Sequence, residues 1–163
     1  MKTNNWIHFP PRKQQGWADT CQSNAIAAIC QAFRRRAGVP DEDLSRMFLH
    51  GEGERLQGLP VPITPAVESI IQVAKTKGVP PEWMHAYQDG QNYSTPSPQA
   101  YAAAATAKMG DHFTHPLDIY NYGATAAAVR GYLEQGWLVG MGFKQRRWFA
   151  WMNAPETEHL RIA

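Results

Sequence analysis

Long apolar runs are missing from these 163 residues. The longest stretch of small side chains, AYAAAATA at 100–107, falls far short of the roughly 20 residues a membrane-spanning helix needs. The N-terminal MKTNNWIHFPPRKQQGW holds no apolar core of the kind a signal peptide carries, so a cytoplasmic protein is expected. Secretion without a cleavable signal stays open. One sign of charge does not prevail either: 16 Lys and Arg stand against 14 Asp and Glu, a balance that gives no reason to expect a nucleic-acid or membrane partner. Two cysteines are too few for a disulfide scaffold.

What is present is enough to fold. Apolar residues make up 44% of the chain and charged residues 18%, outside the range of a disordered segment. The length fits one domain over 1–163, since domains cluster at about 100–150 residues. Residues 1–19 are polar, carry no helical period and read as an extended lead-in. A strong helix is expected from Cys21 to Arg36, where Ala25, Ile26, Ala28, Ile29, Ala32 and Phe33 recur at helical spacing. Asp19 or Thr20 is placed to cap it; Arg34, Arg35 and Arg36 suit the negative end of its dipole, and Gly38 and Pro40 stop it.

Further helices are expected over 41–50, with Leu44, Met47 and Phe48 inward, and after Thr64 and Pro65 up to Gly78. Two more are expected from Ser97 and Pro98 to Gly110 and over 125–135. The Gly- and Pro-rich stretch 51–63 reads as a loop. Strands are expected late in the chain, at WLVGMGF (137–143), at 146–153 and in the final EHLRIA. Helices first and strands last point to an α+β fold.

One constellation carries chemistry. Cys21 opens the first helix, where the positive end of the dipole favours a thiolate. Gln15 and Gly16 precede it in a polar loop, and an amide side chain together with the Cys21 backbone N–H makes a donor pair for a developing oxyanion. Cys30 lies nine residues on, with its Cα about 13 Å along the helix, beyond the ~7 Å a disulfide spans, and reads as core. Asp111, His112 and His115 mimic a metal-ligand cluster but lack partners at metal spacing, so neither a metal nor a cofactor is expected. The run Arg34–Arg36 with Lys144, Arg146 and Arg147 reads as a helix end and a solvated loop.

Gln15-Gly16-Trp17-Ala18-Asp19-Thr20-Cys21, followed by an Ala-rich helix, resembles the papain-like cysteine peptidases, in which Gln-Gly-x-x-Gly-Ser/Thr-Cys leads into the central helix. The likeness extends collinearly through Leu44-Ser45-Arg46-Met47-Phe48-Leu49, Gly78-Val79-Pro80-Pro81-Glu82 with Tyr87, and the segment from Ser97 to Phe143. The resemblance implies a papain-like domain with a helical half and an antiparallel β half, the latter incomplete at the C-terminus of this sequence. It implies Cys21 as nucleophile, Gln15 as oxyanion donor and His159, 138 residues after the cysteine, as base. Gly16, Asp19 and Thr20 would line the substrate side, and a peptide or protein would be the substrate.

Three departures from the family pattern stand out. Asp19 replaces a glycine, Gln22 an aromatic or small residue, and only four residues follow His159. They keep two other readings in view: a papain-fold binding module without catalysis, and a cysteine amidase or deamidase of toxin or effector type. Oligomeric state is left open by the sequence.

Overall fold

The computed structural model describes residues 5–11, 13–14, 20–58, 64–88, 94–110, 112 and 122–140. These are mostly helical. Five α-helices follow in order: α1 (Cys21–Arg36), α2 (Arg46–Gln57), α3 (Val67–Thr76), α4 (Pro98–Ala105) and α5 (Tyr122–Glu134). None is long and apolar enough to cross a membrane. α2 lies against both α1 and α3, and α1 also touches α3. The core forms where they meet: Ile26, Ala27, Ile29 and Cys30 from α1, Leu44, Phe48 and Leu49 around α2, Ile70, Val73 and Ala74 from α3, then Val79 and Ala104. Phe48 is fully buried, with the rings of Tyr101 and His85 edge-on to it at 5.5 and 6.4 Å.

α1 has the bounds its sequence predicts, and the arginines at its end are committed within the fold. Arg35 donates to both carboxylate oxygens of Asp41 and to the Phe9 carbonyl; Arg34 lies 3.9 Å from Glu42; Arg36 donates to the Gly136 carbonyl. The N-terminal lead-in differs from the extended chain expected, with a 3-10 turn at Asn5–His8 resting on α1.

α2 differs most from expectation. It starts five residues later than the predicted 41, where the Ser45 hydroxyl accepts from the Phe48 amide at 3.1 Å. It then runs through Gly51 and Gly53 to Gly58, whose φ of +64° ends it. Residues 51–57, expected as loop, are therefore helix. Each glycine costs a helix roughly 1 kcal/mol relative to alanine, and packing offsets it here. A Cβ on Gly53 would stand 3.1 Å from Pro65 and 3.3 Å from Ile70, so the glycine marks a close helix–helix approach. Between the two glycines Glu52 is 1% exposed and accepts from Lys77, Arg55 and the Tyr101 hydroxyl (2.7 Å), tying α2 to α3 and α4.

α3 begins at Val67 and not at Pro65, which is buried against Gly53. Gly78 ends the turn after it with φ +85°; a Cβ there would meet the Ala104 carbonyl oxygen at 1.8 Å. α4 is capped by Ser97 as expected but stops at Ala105, short of Gly110. The chain leaves the helix there because residues 107 and 109 bond to the backbone beside α3: Val79 N donates to Ala107 O and Met109 N to Ala74 O.

Among the described residues, β structure is confined to one antiparallel bridge between Leu44 and Pro81. Residues 137–140, expected to begin a strand, form none. The rest of that segment, 146–153 and the final EHLRIA lie outside the described residues, as do Asp111 and His115.

Candidate active site

Thr20 is the N-cap of α1, and Cys21 is the first helical residue. Cys21 is an exposed free thiol; Cys30, also free, is buried. The difference follows from the helix. Cys21 stands on the terminal turn, while Cys30 belongs to the buried core cluster with Ile26 and Ile29. Loss of solvent pushes the Cys30 thiol up to about 12, the nearby Arg34 charge offsetting only part of it. A helix start leaves its first amide N–H groups without helical carbonyl partners, so the Cys21 sulfur shares its turn with free donors.

Thr20 is fully buried. Its hydroxyl makes a 3.2 Å hydrogen bond with the Tyr87 hydroxyl and accepts from Asn24 Nδ2 at 3.0 Å. Asn24 Nδ2 also donates to the Thr20 carbonyl at 2.9 Å. The side chain expected on the substrate side is thus turned inward and holds the turn that carries Cys21. Gln15, Gly16, Asp19 and His159 lie outside the described residues.

Beneath that turn is a polar cluster the sequence did not predict as a unit. The guanidinium of Arg46, a residue only 8% exposed, donates through Nη1 to the Asn24 Oδ1 and to the Gln14 carbonyl, both at 2.9 Å. Through Nη2 it donates to Glu82 Oε1 at 3.1 Å, and its carbon centre lies 3.9 Å from the Tyr87 ring centroid. Glu82 in turn accepts from the backbone amides of Arg46 and Tyr87, each at 3.2 Å. Thr20, Asn24, Arg46, Glu82 and Tyr87 therefore close a ring of contacts. Ser45 fixes the segment bearing Glu82 and Tyr87 by donating to the His85 carbonyl at 2.6 Å. Arg46, Glu82 and Tyr87 do fall in motifs of the family resemblance, but their sequence separation hides their convergence. Asn24, an amide side chain at the end of the first turn of α1, is the local signal for it.

Two histidines belong to the interior. His50 is 3% exposed and 3.5 Å from Glu54 one turn on; His85 is 6% exposed, and burial, then the charge of Arg55, pushes its pKa down. Among the described residues no group of His, Cys, Asp and Glu is placed to hold a metal ion.

No protein-family profile matches the chain, and no curated protein matches it. Among solved structures its fold is similar to that of xylellain, a cysteine protease from Xylella fastidiosa, with a TM-score of 0.63 and 25% sequence identity. The likeness covers 74% of this chain and 52% of the protease, so the chain spans about half of that protein's length.

Proposed function

We propose that the chain is a papain-like thiol hydrolase that cleaves peptide or amide bonds through an acyl-enzyme on Cys21. The observation that carries this reading is an exposed thiol at the first residue of α1, in a fold similar to that of a cysteine protease. The residues Gln15 to Cys21, with the spacing the family uses, support it from the sequence. Residues 141–163 would supply the partial β half that the resemblance implies and, on it, His159.

In the proposed reaction His159 takes the Cys21 proton and the sulfur attacks the carbonyl carbon, forming an S–C bond. Gln15 and the Cys21 amide hold the negative oxygen that develops. As that oxygen returns to a carbonyl, the C–N bond breaks and the leaving amine takes the proton from His159. Water, deprotonated by the same histidine, then displaces the sulfur, releasing the acid and restoring the thiol. Gly16 and Asp19, in the loop before the thiol, would flank the substrate.

One observation favours a second reading, a binding module without catalysis. Asp19 puts a carboxylate where the family has glycine, two residues before the nucleophile. Hydrolysis assays separate the two. Peptide, peptidoglycan and protein-glutamine substrates are offered to the wild type and to Cys21→Ala. The hydrolase reading predicts turnover of one amide class, lost by at least about 1,000-fold without the nucleophile. Equal rates for the two proteins, or none on any class, would favour the binding module.

A further inference from the structure

We propose that Arg46 is a positioning residue for Cys21: it clamps the two chain points between which the loop leading to the thiol is strung. The inference rests on the reading of Cys21 as nucleophile. One Arg46 nitrogen, Nη1, donates both to the Gln14 carbonyl and to the Asn24 side chain. Gln14 directly precedes residues 15–19; Asn24 holds the carbonyl and hydroxyl of Thr20, which directly follows them. A single guanidinium thus spans both stems of that segment, 32 and 22 residues away in sequence. Glu82 and the face of Tyr87 fix the guanidinium from the other side, and Tyr87 closes the ring on the Thr20 hydroxyl.

Stability alone does not account for such a cluster. Replacing a buried ion pair by well-packed apolar side chains of similar volume is often neutral or stabilising. What the ionic arrangement supplies is direction, because a planar guanidinium presents its donors at fixed angles that an apolar cluster or a lysine does not reproduce. Nη1 is aimed at Asn24 on the turn bearing the thiol while Nη2 is held by Glu82, and at such a turn a displacement of about 1 Å costs on the order of 100-fold in a reaction that depends on alignment.

The test uses the full chain with Arg46→Lys, Arg46→Met and Asn24→Ala; the last leaves the Arg46–Glu82 pair in place. Three quantities are read: amide hydrogen exchange of residues 20–24, the rate of Cys21 modification by a peptidyl epoxide, which must be aligned, and its rate with iodoacetamide, which needs only an accessible thiolate. Protection of Cys30 from iodoacetamide reports that each variant is folded. The proposal predicts faster exchange at 20–24 in Arg46→Met and Asn24→Ala. It also predicts an epoxide rate lowered about 10- to 100-fold, while the iodoacetamide rate changes far less and Arg46→Lys falls between. A lowered melting temperature with an unchanged ratio of the two rates and unchanged exchange at 20–24 would make Arg46 purely structural and overturn the proposal. Should Arg46→Met not fold, Arg46→Lys decides, by the same exchange and rate-ratio readings against wild type. A wild type inert to the epoxide would sink the hydrolase reading, and the exchange comparison would still decide whether the clamp exists.

Discussion

The two cysteines of α1 differ by environment alone, and that difference is measurable. With the Cys30 thiol pushed up to about 12 by burial, it stays protonated at pH 8. Iodoacetamide at that pH is expected to modify Cys21 and spare Cys30 in the native protein, and to modify both at similar rates in concentrated urea. Peptide mapping by mass spectrometry reads the result; equal labelling of the native protein would contradict the burial of Cys30 or the exposure of Cys21. The pair was legible from the sequence because helix periodicity separates an end position from a core position nine residues on. The inward turn of Thr20 was not, since its partners Asn24 and Tyr87 are set by tertiary packing and not by local spacing.

Among the helices, α1 and α2 show what a sequence does and does not declare. α1 is punctuated at both ends, by the position of Thr20 and by three arginines before Gly38, and its bounds were readable. α2 contains Gly-Glu-Gly-Glu, which by local propensity is loop; helix prevails where Gly53 packs closely on Pro65 and Ile70 and Glu52 bonds to Lys77 and Tyr101. Glu52 makes the consequence testable. Burial pushes its carboxyl up, yet hydrogen bonds from Lys77, Tyr101 and Arg55 outweigh burial and hold it below the usual range. A carboxylate whose pKa is depressed in the folded state contributes stability above its unfolded value of about 4.3, and that contribution is lost as the pH falls. Glu52→Gln is therefore expected to lower stability at pH 7 by about 2–3 kcal/mol, the scale of a hydrogen bond to a charged group. The gap to wild type should narrow below pH 4.5 or so. Urea unfolding at several pH values measures it; a gap constant from pH 7 to pH 3 would contradict the account.

At the scale of the whole molecule, a helical assembly presents the start of α1 with its thiol outward, braced from below by Arg46, Glu82 and Tyr87. The order of motifs along the chain made the helical half of a papain-like fold legible, and the fold likeness to a cysteine protease agrees with that part of the expectation. The bracing cluster was not legible as a site, because its members lie at 14, 24, 46, 82 and 87 and share no period. The central claim, that Cys21 is a nucleophile held for attack, is tested most directly by incubating the wild-type chain with a peptidyl epoxide near neutral pH and locating the adduct by mass spectrometry. The account predicts one equivalent bound, on Cys21, in the folded protein and none after denaturation under the same exposure. An unmodified protein, or modification no faster than that of the unfolded chain, would contradict it.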